Sequence, residues 1–120
     1  MPENEPIDRA ALVSLLAMVN GDRAFVQEMI DVFLSDAARL IGEMRRAAES
    51  GQAEPLRRAA HSLKSNSANL GAPALRALCL EMETLGRDGQ VAGAAGPLAQ
   101  AEAELERVRT ALQMVRVDEL

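Results

Sequence analysis

The 120-residue sequence contains neither tryptophan nor tyrosine, and its only aromatic side chains are Phe25 and Phe33. It also has a single cysteine, Cys79, and a single histidine, His61. A lone cysteine excludes an internal disulfide, and one cysteine with one histidine cannot supply the ligands of a zinc site. The core must therefore be aliphatic. Because aromatic and β-branched residues are scarce while Ala, Leu, Glu, Arg and Gln dominate, the composition predicts an all-α protein.

Charge and hydropathy exclude further classes of protein. The net charge is −5 and the pI is near 4.9, which argues against a nucleic-acid partner, since such binding needs a broad basic surface. No apolar run approaches the length of about 18 residues that indicates a membrane span, and the acidic N-terminus lacks the features of a signal peptide. We therefore expect a soluble, cytoplasmic protein without membrane insertion, forming a single domain over residues 1–120.

Apolar residues recur at steps of three and four along most of the chain, which is typical of amphipathic helices. Together with capping residues, this pattern predicts five helices at about 8–19, 23–49, 53–70, 73–85 and 97–116. Gly86 and Gly89 are predicted to lie in a loop, and residues 91–96 in a small flexible loop. Four long segments with short connections indicate an antiparallel four-helix bundle with a short additional N-terminal helix.

His61 lies on the side of the third predicted helix that faces away from the apolar stripe. At about 100° per residue, Leu63 falls on the opposite side of that helix. Neutral imidazole is a nucleophile near pH 7, and cations near it would partly neutralise a phosphoryl group attached to it. From geometry alone, an ordinary solvated surface histidine is the more common explanation of this position. The neighbours within about 60° of His61 are cationic or small: Arg57, Arg58, Lys64, Ser65 and Ala68.

The sequence around His61 resembles a known signature. Residues 59–72 read AAHSLKSNSANLGA and are followed by Leu75, Leu78, Cys79 and Glu83. This string is similar to the pattern A-H-x-L-K-G-S-A-x-x-L-G-A of histidine-containing phosphotransfer (HPt) domains, and residues 25–34 resemble the second helix of that family. The resemblance implies a carrier in a bacterial-type phosphorelay. His61 would accept a phosphoryl group from the aspartyl-phosphate of a receiver domain and pass it to another receiver aspartate.

The same resemblance implies the other roles. Lys64 would stabilise the phosphoryl group. The positions of Arg57, Arg58, Ser65 and Ala68 around His61, in turn, predict that they support the site. The divalent metal ion would belong to the partner receiver, so no cofactor or metal is expected here. No Gly-rich phosphate loop is present, so no ATP-dependent kinase activity is expected. The implied partners are receiver domains of response regulators or hybrid histidine kinases, and the chain is expected to be a monomer.

Three points stay open in the sequence. Ser65 stands where the family usually has glycine, which predicts an effect on docking or on phosphohistidine lifetime. The second predicted helix has more apolar residues than one stripe needs, the additional ones being Phe25, Met29, Val32 and Leu34. We expect them to pack in the core; the alternative is an exposed patch beside His61. Glu83 and the other carboxylates give no pair that can be placed in a cleft, so acid–base catalysis has no support.

The alternatives to a phosphocarrier are a helical adaptor that has kept the fold without phosphotransfer and a structural bundle that forms a homodimer.

Overall fold

The computed structural model describes residues 5–120, and within them it contains five α-helices and no β-strand. The predicted fold class is confirmed: four long helices form an antiparallel bundle, and a short N-terminal helix packs against α2 and α3. Residues 1–4, which carry most of the acidic N-terminus noted above, lie outside the described residues. In the described part, no helix is both long and apolar enough to cross a bilayer. The elements are α1 (Arg9–Met18), α2 (Arg23–Glu49), α3 (Ala53–Leu70), α4 (Pro73–Arg87) and α5 (Ala95–Met114), with short 3-10 helices at Val91–Ala94 and Val117–Glu119.

The buried residues of the long helices recur mainly at steps of three and four, as the apolar pattern predicts. In α3 they include Ser67, and Cys79 of α4 is buried as a small apolar residue. Burial raises the pKa of the Cys79 thiol to about 12, so it is not a reactive thiolate. Helix α1 buries Leu12 and Leu16, whereas its last residue, Met18, is exposed.

Two capping residues set where helices begin. The Asp22 carboxylate accepts a hydrogen bond from the Phe25 backbone N–H at 3.0 Å and so starts α2. Asp8 does the same for α1 through the N–H of Ala10. The Asp8 backbone N–H also donates to the Gly71 carbonyl oxygen at 2.6 Å, which ties the start of α1 to the end of α3.

The predicted ends of α4 and α5 were wrong in three places. Gly86 does not lie in a loop, because α4 continues to Arg87 and buries Gly86 against α3. Residues 91–96 are not a flexible loop, since Val91 and Ala94 are buried and α5 begins at Ala95. Pro97 fits there because its ring lies in the first turn, where backbone N–H groups have no partner within the helix. Helix α5 ends at Met114, after which the chain becomes extended and buries Val117.

Gly71 closes α3 in the left-handed region, with φ of 74°. A methyl group there would lie 2.6 Å from Ala11 Cβ and 2.8 Å from the Asp8 carbonyl oxygen, whereas at Gly51, with φ of 67°, it would meet nothing within 4 Å. We therefore expect Gly51→Ala to lower the free energy of unfolding by about 1 kcal/mol through backbone strain alone. Gly71→Ala should cost at least about 2 kcal/mol, because it adds a steric clash to the strain. Urea denaturation of both variants tests this, and equal losses would contradict it.

Candidate functional site

The site is centred on a carboxylate shared between two helices. Glu83 of α4 points into the contact with α3, where its side chain is only 7% exposed. Its Oε2 atom lies 2.7 Å from His61 Nδ1, and its Oε1 atom lies 2.6 Å from Lys64 Nζ. His61 and Lys64 are three residues apart in α3 and therefore face the same side of that helix. One buried carboxylate thus holds both side chains.

The protonation of Glu83 follows from these partners. The Lys64 ammonium, paired with the carboxylate, lowers the pKa of Glu83 below its ordinary value, and the hydrogen bond with His61 acts in the same direction. Burial opposes both effects but does not outweigh them. Glu83 is therefore an ionised acceptor near neutral pH. The contacts with Lys64 and His61 stabilise a negative charge that would otherwise be costly to bury.

The carboxylate also sets the tautomer of His61. A carboxylate only accepts hydrogen bonds, so Nδ1 of the neutral imidazole must carry the proton and donate it to Glu83 Oε2. The other ring nitrogen, Nε2, is then unprotonated and has a free lone pair. The His61 side chain is 56% exposed, so this nitrogen is available to a partner in solution. The site presents an oriented nucleophile on the protein surface.

The arginines beside His61 have carboxylate partners of their own. Arg57 donates to both oxygens of Glu54, at 3.0 and 2.5 Å, and Arg58 Nε lies 3.7 Å from the same carboxylate. This pairing raises the pKa of Arg57 and lowers the pKa of Glu54. The three cations predicted to flank His61 thus have partners that the sequence pattern did not show. Each cation stays near the histidine, but Glu54 or Glu83 offsets its charge.

A shallow groove between α2 and α3, called here the histidine groove, runs beside the imidazole. Arg58, His61, Ser65 and Asn66 line it from α3, and Arg39 lines it from α2. Ser65 is exposed there, on the same face as His61. Ala68 is also exposed, but it lines neither this groove nor the one described next.

A second groove continues from the first and is mainly apolar. This apolar groove is lined by Phe25, Met29 and Val32 of α2 and by Leu70 of α3, and it shares Asn66 with the histidine groove. Phe25 is 46% exposed and Val32 is 54% exposed. The expectation that these residues pack in the core was wrong for both, because they project from α2 away from the bundle. Among the four residues in question, only Leu34 is buried in the core, and Met29 is half-buried.

Sequence reasoning found His61, Lys64 and Ser65 but dismissed Glu83 as a functional carboxylate. A signal was present. Glu83 follows Leu75, Cys79 and Met82 on the apolar stripe of α4, and an acidic residue at a core position indicates a buried partner. The histidine-groove residue Arg39 had no such signal, because nothing in α2 alone shows that it faces His61.

The sequence also matches a known protein family. The family described as Hpt domain matches residues 28–111, which is more than half of the chain. The chain belongs to the Hpt domain family. The match includes the histidine, the lysine and the buried glutamate described above.

Individual relatives support the assignment. The structure of histidine-containing phosphotransfer protein B from Pseudomonas aeruginosa PAO1 superposes with a TM-score of 0.81 at 28% identity, covering 94% of this chain and 99% of that one. A histidine-containing phosphotransfer protein from maize gives a TM-score of 0.75 at 25% identity, covering 96% and 95%. Histidine-containing phosphotransfer protein 2 of Arabidopsis thaliana is 27% identical over 97 residues, which are 78% of this chain and 62% of the plant protein. Because the relatives come from a bacterium and from plants, membership of the HPt family does not imply a bacterial origin.

No group of three or more histidine, cysteine, aspartate or glutamate side chains in the described residues could hold a metal ion.

The lowered pKa of Glu83 predicts how stability depends on pH. A carboxyl group whose pKa is lower in the folded protein stabilises the fold above its ordinary pKa of 4.5, and this contribution is lost as the pH falls through the folded value. We therefore expect the free energy of unfolding to fall more steeply below about pH 4.5 in the wild type than in Glu83→Gln. Denaturant titrations from pH 7 to pH 3 measure this, with Glu81→Gln, at an exposed position of α4, as the control. Parallel curves for the wild type and Glu83→Gln would rule out the prediction.

Proposed function

We propose that this HPt chain is a phosphorelay intermediate that carries a phosphoryl group on His61 Nε2. The group arrives from the aspartyl-phosphate of one receiver domain and leaves to the aspartate of another. The observation that supports this most directly is the 2.7 Å contact between Glu83 Oε2 and His61 Nδ1, which leaves Nε2 unprotonated and directed outward. Family membership supports the same class of reaction.

The proposed transfer needs no general base on this chain. The Nε2 lone pair attacks phosphorus, a nitrogen–phosphorus bond forms, and the phosphorus–oxygen bond breaks. The aspartate of the receiver leaves as a carboxylate with the bonding electrons. The imidazole ring thereby gains a positive charge while Nδ1 keeps its proton, and the Glu83 carboxylate stabilises that charge. Donation to the second receiver is the reverse of these steps.

Lys64 has two roles in this proposal. It neutralises Glu83 in the resting protein, and it brings an ammonium group to the same side of α3 as His61. With 22% of its side chain exposed, it can reach the phosphoryl oxygens only by giving up part of its contact with Glu83. The positive charge that develops on the imidazole would then replace the electrostatic stabilisation of Glu83 that Lys64 no longer provides. Arg57, Arg58 and Ser65 support the site through its local charge and shape.

We propose that the partners are receiver domains and that each supplies the divalent metal ion and the aspartate. This chain would act as a monomer in the cytoplasm with no cofactor and no kinase activity of its own. The apolar groove beside the histidine groove is the expected docking surface, because relay complexes are transient and use small apolar patches with polar rims. Glu28 and Asp36 lie at its rim, so the matching receiver face should be apolar with cations at its edge.

The first test is His61→Gln. Glutamine keeps a polar side chain at this exposed position but has no nucleophilic nitrogen. We expect the variant to take up no acid-labile phosphate from a phosphorylated receiver, while its helicity stays within error of the wild type. Ser62→Ala, at the adjacent exposed position, is the control and should be labelled normally. If the wild type binds receivers but never takes up phosphate, the alternative role as a helical adaptor is correct instead.

The second test addresses the apolar groove. Phe25→Ala combined with Val32→Ala should raise the receiver concentration that gives half-maximal transfer by roughly tenfold, since each truncated apolar contact costs on the order of 0.5–1 kcal/mol of binding. The maximal rate should not change, because His61 and Glu83 are untouched. Met114→Ala removes an apolar side chain that is more exposed than either Phe25 or Val32 and lines a different groove, and it serves as the control. A fall in the maximal rate without a change in half-saturation would exclude a docking role.

A further inference from the structure

Gly86 lies inside α4 where that helix packs closely against the backbone of α3. A Cβ atom at Gly86 would lie 2.8 Å from the Arg57 backbone nitrogen and 3.0 Å from both the Ala53 carbonyl oxygen and Arg57 Cα. All three atoms belong to the α3 backbone, so no side-chain rotation could relieve the clash. Glycine in a helix interior is less favourable than alanine, and here the close helix contact requires it.

This contact adjoins the site on both helices. Gly86 is three residues after Glu83 in α4, and Arg57 is four residues before His61 in α3. Because the two helices are antiparallel, the Gly86–Arg57 contact and the Glu83–His61 hydrogen bond lie one helical turn apart. The spacing of the backbones at Gly86 therefore controls how far Glu83 must reach to His61.

We propose that Gly86 is a positioning residue for phosphotransfer: the absence of its side chain lets α4 approach α3 closely enough for Glu83 to hold the His61 imidazole. The inference deepens the proposed function and rests on it for the transfer reaction, but the geometry of the imidazole can be measured independently. A hydrogen bond weakens steeply once its length and angle leave the favourable range. A separation of a few tenths of an ångström at Gly86 would loosen the 2.7 Å contact between Glu83 and His61.

The test is Gly86→Ala, with Gly42→Ala as the matched control. Gly42 also lies inside a helix, but a Cβ there meets only the end of the flexible Arg46 side chain, at 3.4 Å. His61 is the sole histidine, so nitrogen-15 NMR of the imidazole reports one site without assignment. We expect Gly86→Ala to lower the population of the Nδ1–H tautomer and to speed exchange of its proton, and we expect Gly42→Ala to leave both unchanged.

Transfer kinetics supply the second measurement. The maximal rate of phosphoryl transfer from a receiver should fall about tenfold in Gly86→Ala, within the range that a small misplacement of reacting groups can cost. The receiver concentration for half-maximal transfer should not change, because the apolar groove is formed by α2 and α3. A merely structural role would alter stability without this change in rate and tautomer.

A double-mutant cycle shows whether Gly86 acts through Glu83. Glu83→Leu removes the carboxylate and fills a similar volume, so adding Gly86→Ala to it should change the maximal rate no further. If Gly86→Ala folds and keeps wild-type imidazole signals and rate, or if its effect is undiminished in the Glu83→Leu background, the proposal is overturned.

A second variant covers the case in which Gly86→Ala does not fold. Glu83→Asp withdraws the carboxylate by one methylene group without touching the helix contact, and it should reproduce the loss of the Nδ1–H tautomer and of rate. Wild-type behaviour of Glu83→Asp would show that close placement of the carboxylate is not required and would also overturn the proposal. If the wild type takes up no phosphate at all, the proposed function fails, and the imidazole NMR still decides the role of Gly86.

Discussion

The structure depends on one buried carboxylate, that of Glu83, placed between two helices. A lone charge at this depth would be strongly destabilising, and it is tolerated because Lys64 forms an ion pair with it and His61 forms a hydrogen bond with it, both from α3. The same contacts fix which nitrogen of His61 carries the proton. Stability and reactivity are therefore linked. The contact between Glu83 and His61 offsets the free-energy cost of burying the carboxylate, and it also leaves Nε2 of His61 unprotonated.

Several features of the fold serve this interaction. Helices α3 and α4 make the most extensive contact in the bundle, and Gly86 allows their backbones to approach closely beside Glu83. The turn at Gly71 reverses the chain between the two helices and receives the start of α1. The open face of α3 then remains exposed to a partner. The apolar groove, with Phe25 and Val32 half exposed, lies beside the histidine groove and shares Asn66 with it.

Much of the fold and part of the site were predictable because they depend on local pattern. The spacing of apolar residues predicted the helices and the core positions of α2 and α3, and the motif around His61 predicted its family. The end of α4 was not predictable in this way. Gly86 has the usual appearance of a helix terminator, and only a neighbouring backbone explains why it lies inside a helix. The exposure of Phe25 was not predicted for a similar reason, since apolar character alone does not show which face of a helix has no neighbouring helix.

The sequence by itself determined the all-α class, the bundle, and the surface position of the only histidine, because helical periodicity and composition carry that information. It also determined that His61 and Lys64 lie on one face, three residues apart. Only the tertiary structure decided that Glu83 joins them and that the nearby arginines have carboxylate partners. The physical reason is that a hydrogen bond between helices depends on their distance and rotation, which the packing of the whole core sets and no single helix encodes.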